Sequence, residues 1–269
     1  MNVPIPKDQC RVYVKSVQGG VLRTLFETLK ELVHDGSMIF SADGAKLATM
    51  DAAKCSLVHL KLRAECFEEF VCSETTPVGL NFASMHKLMR TCGSHDTVVL
   101  YVLHDAPHEL GIRIQNSEKN SQTSFQLKLL ELDDRHISLP DMTFDSIYTL
   151  PSATFQRLCR DMQGLSQAMT ITSKPSALEF SCTGDFASQV TIIGEASDGL
   201  VMETTHDDDI DDIVAKYSLK YLTLFSKSSA LSTTVSLFIK SNHPLVIEYA
   251  VAGLGRLAFM LSPVLDDME

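Results

Sequence analysis

The sequence predicts an α+β protein in which short amphipathic helices cover one face of mostly antiparallel sheets, with the whole arrangement duplicated. A run of strand, helix and three strands occurs four times, two in each half. Three of the helices carry apolar residues at i, i+3, i+4 and i+7, the fourth all but the first of these, and the segments after each are rich in Val, Ile, Leu, Thr and Tyr. The 269 residues also suffice for two domains of roughly 100–130 residues, each burying its own core.

Taken in order, residues 10–17 (CRVYVKSV) alternate and read as a strand. Residues 19–33 then form a helix with Leu22, Leu25, Phe26 and Leu29 on one face, followed by strand-like runs at 37–43, 44–51 and 55–62. In the second repeat, 68–74 and 77–82 lead into a helix over 83–93 bearing Met85, Leu88, Met89 and Cys92, and strands follow at 96–105, 109–116 and 124–132. The third has a strand at 145–151 and a helix at 152–165 with Phe155, Leu158, Cys159 and Met162, then strands at 168–173, 177–182 and 188–196. The fourth has a strand at 213–219 and a helix at 219–230 with Tyr221, Leu222 and Phe225, although Ser218 breaks its first apolar position. Its strands are 233–240, 244–251 and 255–263.

Between the halves runs FQLKLLELDDRHISLPDMTF, residues 125–144. It starts as a strand through Leu127, Leu129 and Leu130–Leu132, leaves through Asp133, Asp134, Arg135 and His136, and stops at Pro140 and Asp141. A solvated crossover with apolar residues suits a connector between domains or an exposed strip for a partner peptide. The expected organisation is a flexible lead-in at 1–9, domains at 10–126 and 145–265, a connecting loop at 127–144, and an acidic tail at 266–269.

Composition is ordinary for a globular protein, 45% hydrophobic and 21% charged. No apolar run reaches the ~18–20 residues of a membrane span, and the start shows no basic segment followed by an apolar one, so an intracellular protein with no membrane partner is expected. Seven cysteines, an odd number with no C-x-x-C pair, read as free thiols packed as small hydrophobes. A net charge of −11 argues, taken whole, against binding nucleic acid. The positions of the charges reverse that. Lys87 and Arg90, and Arg157 and Arg160, sit two and five places after the first apolar residue of their helices. Lys220 keeps the first of these offsets, and Lys227 lies seven residues on. Arg23 and Lys30 are also seven apart, with Glu27 between them. Seven residues is two turns, so each such pair shares a face beside the apolar stripe. Acid runs lie elsewhere, at 207–212 and 266–269. Basic helix faces of this kind hold a polyanion through its phosphates, without reading sequence.

No catalytic set, metal site or cofactor motif emerges. Gly19-Gly20 lacks the Gly-Lys-Ser/Thr of a phosphate loop, and Gly253 and Gly255 sit between strands. Ser84-x-x-Lys87 lacks companion motifs, and Pro107 breaks any helix that would aim His104 and His108 at one ion. The 207–212 run lacks the Gly and the terminal Glu of a calcium loop.

GAKLATMDAAKCSLVHLKL, FQRLCRDM and LKYLTLFSKSSALSTTVSLFIKSNHPLVIEYAVAGLGRLAFMLSP resemble the proliferating cell nuclear antigen, the DNA sliding clamp of eukaryotes and archaea. LKLLELDDRHISLP is similar to the family's interdomain connecting loop, and the likeness runs from about Arg11 to Asp267. It implies the DNA-clamp fold and a head-to-tail homotrimeric ring, helices inside. The function implied is that of a nuclear, non-enzymatic processivity factor for replication and repair. Its partners would be duplex DNA, a DNA polymerase, other proteins with PCNA-interacting peptides, a clamp loader and copies of itself. A paralogue acting as a monomer or in a heterotrimer, as checkpoint clamps do, is the alternative. An enzyme is a third reading, which no motif supports.

The resemblance places Arg23, Lys30, Lys87, Arg90, Arg157, Arg160, Lys220 and Lys227 toward DNA, with Thr24 where the family has a further lysine. It places a partner-peptide pocket at Met50, Lys54 and Leu57, at Leu132, Ile137, Leu139 and Phe144, and at Pro244, Met260, Ser262 and Pro263. Lys54 stands for a frequent His, Phe144 and Met260 for Tyr, and Ser262 for Ala. A regulatory lysine of the family aligns with Pro175, beside Lys174. Subunits are expected to pair through edge strands near Glu109–Gln115 and Phe186–Ile192, that is Glu109, Leu110, Ile112 and Ile114 against Phe186, Ser188, Val190 and Ile192. A lead-in of about ten residues is atypical and, with these departures, suits a viral or divergent clamp.

Overall fold

A computed structural model of the chain describes residues 5–51, 53–116, 118–132, 137, 142–194, 199–204 and 212–264. Two compact units are present: Met1–Thr49 with His59–Ile137 and Val251–Arg256, and Met50–Val58 with Ser138–Ala250 and Leu257–Glu269. The α+β expectation holds in both.

The first half of the chain contributes β1 (Cys10–Ser16), α1 (Gly19–Leu32), β2 (Asp35–Ser41), β3 (Gly44–Met50) and β4 (Ser56–Arg63). It then adds β5 (Glu69–Cys72), β6 (Thr76–Asn81), α2 (Phe82–Met89), β7 (Thr97–Leu103), β8 (Glu109–Asn116) and β9 (Ser121–Lys128). One sheet runs β5-β1-β7-β8-β9, and β6-β2-β3-β4 follow one another in a second. The helices pack side by side, Phe26 of α1 stacking on Phe82 of α2 with ring centroids 6.5 Å apart. Leu22, Leu25 and Leu29 are 2% exposed or less, as the helical spacing predicts. Asn81 caps α2: its side chain accepts the Ser84 N–H at 2.8 Å, which places Ser84 in a structural role. Asn81→Ala should therefore cost about 1 kcal/mol, read as a lowered urea midpoint.

The second half repeats the order with β10 (Ser146–Pro151), α3 (Ser152–Gln163), β11 (Ala168–Lys174), β12 (Ala177–Thr183), β13 (Ser188–Gly194) and β14 (Val201–Thr204). After these come β15 (Ile213–Ser218), α4 (Leu219–Ser226), β16 (Thr234–Ile239), β17 (Leu245–Val251) and β18 (Gly255–Leu261). A four-stranded sheet runs β13-β12-β11-β15, and β14-β10-β16-β17-β18 follow one another. Phe155, Cys159, Met162, Leu222 and Phe225 fill the space between helices and strands, each 1% exposed or less. Phe225 stacks on Phe259 at 4.4 Å.

Several expectations need correction. The lead-in is not featureless: Lys7–Gln9 forms a 3-10 turn, Lys7 pairs with Glu69, and Ile5 packs on Cys10, Tyr13, Val99 and Tyr101. The strand before the connector ends at Lys128 rather than Leu132. Beyond it the Leu129 and Leu130 N–H groups bond to the carbonyls of His108 and Gly79 at 2.9 Å, so the chain leaves the ladder while its donors stay satisfied. Gly79 permits this, because a side chain there would strike the Leu130 carbonyl. Arg90 caps α2 from just beyond its end, and Lys227 opens a 3-10 turn (Lys227–Ala230) after α4. β14 has no counterpart in the sequence reading. Asp133–His136, Leu139, Pro140, Asp141, the acid residues 207–211 and the tail at 266–269 lie outside the described residues.

Candidate nucleic-acid, partner and subunit surfaces

The eight basic positions divide evenly between the units. On the first, Lys87 and Arg90 are exposed, whereas Arg23 and Lys30 are half-buried. Arg23 Nη1 donates to the Cys92 carbonyl at 2.9 Å, tying α1 to the turn after α2, so this residue also holds the fold. Lys30 Nζ lies 3.8 Å from Glu31 Oε1. Burial, then the Lys30 ammonium, pushes the His86 imidazole below its ordinary pKa, so the helix pair gains no charge there at neutral pH. Thr24 turns inward on its own helix, its hydroxyl donating to the Gly20 carbonyl at 3.0 Å. On the second unit Arg157, Arg160, Lys220 and Lys227 are all exposed, opposite the apolar stripes of α3 and α4. The second unit thus presents a helix pair with an apolar inner face and basic residues outside, whereas on α1 of the first unit the exposed side chains are Glu27 and Glu31.

Most of the expected pocket belongs to the second unit. Met50 is 44% exposed, Leu57 is buried, and Phe144, Pro244, Met260 and Pro263 are half-buried. The Phe144 ring meets Phe238 at 5.1 Å, so it packs without the hydroxyl of a tyrosine. Lys54 is exposed at a positive φ of 58° in a turn closed by its N–H to the Asp51 carbonyl, 3.0 Å. Exposed Ser262 donates its N–H to the Cys55 carbonyl at 3.0 Å. Leu132 and Ile137, both half-buried, belong to the first unit.

Asp51 organises this turn. Its carboxylate accepts the Ser56 N–H at 2.7 Å and the Tyr221 hydroxyl at 2.6 Å. Burial pushes its pKa up, but the bonds from Tyr221 and from the backbone of Ser56, Cys55 and Ala53 outweigh this and hold it below the usual value. The same bond, then burial, pushes Tyr221 up to about 12. Tyr221→Phe should cost about 1–2 kcal/mol at neutral pH, measured by urea unfolding. A depressed carboxylate stabilises the fold above its unfolded pKa of about 4, so the difference from the wild type should hold above that pH and shrink as pH falls on through the lowered pKa of Asp51.

Of the two strands expected to pair subunits, one lies at a sheet edge and the other does not. Strand β13 is an edge, with Phe186 just before it 78% exposed and Val190 and Ile192 61% and 60% exposed; Ser188 is exposed too. Strand β8 is not an edge. It pairs with β7 on one side and with β9 on the other, from Glu109↔Lys128 to Asn116↔Ser121. Leu110, Ile112 and Ile114 are 1%, 0% and 5% exposed, so they are core residues whose backbone is already bonded on both sides. The edge is β9, with Ser121, Gln122, Thr123, Ser124, Gln126 and Lys128 exposed.

Residues 12–137 match the N-terminal domain, and residues 138–264 the C-terminal domain, of the proliferating cell nuclear antigen. The chain belongs to that family. A protein described as probable DNA polymerase sliding clamp 1, from Paramecium bursaria Chlorella virus 1, is 41% identical over 262 residues, covering 96% of this chain and 98% of the relative. The fold is therefore the DNA-clamp fold of the proliferating cell nuclear antigen, a family of non-enzymatic processivity factors.

Within that fold Lys174 pairs with Glu179 across the β11–β12 hairpin. Cys10, Cys72, Cys92, Cys159 and Cys182 are buried free thiols, and burial, then Asp96, pushes Cys92 up to about 11. They pack rather than react. The sequence places a strand at 124–132, but the resemblance puts the interface one strand earlier, on β8 rather than on the edge strand β9. Position in the repeat was the usable signal: β4, β9, β13 and β18 each close one of the four repeats.

Proposed function

We propose that this protein is a sliding clamp for a replicative DNA polymerase, three copies closing head to tail around duplex DNA. Family membership supports the clamp activity. Support for the ring comes from the repeat itself: β4 and β18, the last strands of the first and fourth repeats, are neighbours, with the Arg63 N–H bonded to the Leu254 carbonyl at 3.0 Å. Their equivalents β9 and β13 have open edges among the described residues. Pairing β9 of one copy with β13 of the next repeats a contact the chain already makes with itself, and three such contacts satisfy both edges of every copy.

In that ring the basic helix positions line the hole and neutralise phosphates, so the clamp holds DNA without sequence preference and slides. The pocket residues form an apolar, Met-containing surface for PCNA-interacting peptides of polymerases and repair proteins. Closed rings need a loader to reach circular DNA. The protein acts at sites of DNA replication, in the nucleus or wherever a virus copies its genome. Light scattering during size-exclusion tests the reading. A native mass of three times 29.7 kDa, stable on dilution, is expected. A mass of 29.7 kDa throughout would overturn the homotrimer and leave the monomeric or heterotrimeric paralogue.

A further inference from the structure

The sheet β5-β1-β7-β8-β9 of the first unit has two faces of different character. Val12, Val14, Val98 and Val102 are 2% exposed or less on one of them, and the residues that alternate with these turn the other way. The register sets Tyr13 between Tyr101 and Val71, Lys15 between Val99 and Glu69, and Tyr101 opposite Gly111, so all of these share the second face. The Tyr101 ring fills the space above Gly111, where any side chain would strike it, and its hydroxyl accepts the Gln126 amide N–H at 3.3 Å. Lys15 Nζ holds Glu69 Oε1 at 3.2 Å. An aromatic floor thus lies beside a carboxylate whose place is already fixed.

Residues 5–9 lie across this floor. Ile5 packs on Cys10, Tyr13, Val99 and Tyr101. Lys7 pairs with Glu69 Oε2, its ammonium 5.4 Å from the centre of the Tyr13 ring. Among the described residues the backbone of 5–8 bonds only to Gln9 and Cys10: the Pro6 carbonyl accepts the Gln9 N–H at 3.1 Å, and the Lys7 carbonyl accepts the Cys10 N–H. Bonding to the sheet begins later, where the Gln9 carbonyl accepts the His104 N–H at 2.9 Å. The segment is therefore held as a peptide ligand is, by an apolar side chain and a cation two residues on, and not by a ladder. With it in place Tyr13 and Tyr101 are each 7% exposed; without it they would form an open apolar patch beside a carboxylate. We propose that this face is a binding site for a peptide segment with an apolar residue two places before a lysine, and that Ile5–Gln9 occupy it as a displaceable ligand supplied in cis. A partner segment of the same chemistry gains the site when the strap lifts.

Cys10 reports the strap, because it is 4% exposed and its thiol donates to the Pro6 carbonyl at 3.3 Å. The test uses the full chain, with alkylation by N-ethylmaleimide located by mass spectrometry of the digested protein. In the variant Ile5→Ser with Lys7→Glu, Cys10 should react about tenfold faster than in the wild type, while the core thiols Cys92 and Cys159 stay as slow as before. A capped peptide of residues 5–9 at about 5 mM, the order of concentration that a short tether supplies, should slow the variant's Cys10 about fivefold. The same peptide carrying both substitutions should have no effect. Equal Cys10 rates in wild type and variant, or a variant indifferent to the peptide, overturn the proposal. So does a rise of Cys92 and Cys159 in step with Cys10, which would make the segment part of the fold and not its ligand. Wild-type protection that is lost on dilution overturns the cis arrangement, since the strap would then come from a second copy.

Discussion

Changing Lys87, Arg90, Arg157 and Arg160 to Glu together is expected to abolish polymerase stimulation while leaving the native mass and the far-UV circular dichroism unchanged. All four are exposed, on the helix faces opposite the apolar stripes, so the substitutions remove no core contact. Each replaces an attraction for phosphate by a repulsion, and a ring would present every change three times. With counterion release setting the affinity, a loss of about a hundredfold or more in DNA association is expected at physiological salt. Arg23 is left out deliberately, because its bond to the Cys92 carbonyl would mix a folding defect with a DNA defect. Stimulation retained by the fourfold variant would sink the assignment of these helices to DNA.

Much of the fold was legible because its signals are local and repeated. The spacing of Leu22, Leu25, Phe26 and Leu29 fixes a helix face whatever the strands do, and the same pattern recurs twice in full and once without its first position. What failed depends on pairing between distant segments. Ser121–Ser124 carry no apolar alternation, yet β9 forms because β8 offers a complete ladder beside it. Conversely, the resemblance pointed to β8 as an interface strand, yet its Leu110, Ile112 and Ile114 are core. Strand β14 has only four residues and exists through pairing with β10, much as β5 does with β1. The charged positions were legible as a pattern, but not the division of labour within it: nothing in the letters separates Arg23, which binds a carbonyl, from the exposed Arg157.

Val190→Glu with Ile192→Glu should lower the native mass from three times 29.7 kDa to 29.7 kDa without unfolding the chain. Both side chains stand on the edge strand β13, about 60% exposed among the described residues. Placed against a second copy's edge they would be desolvated, and a buried carboxylate without a partner costs several kcal/mol per contact, repeated three times around a ring. Ile112→Ala on β8 separates this reading from the one the sequence favoured. Ile112 is fully buried between paired strands, so its truncation should cost about 2–4 kcal/mol of folding stability while the native mass stays that of the wild type. Should Ile112→Ala instead dissociate the assembly at unchanged stability, with the β13 variant still trimeric, neither edge strand would be the contact between copies. The open edges of β9 and β13 would then need some other cover, because exposed strands of seven or eight residues invite pairing with whatever strand they meet.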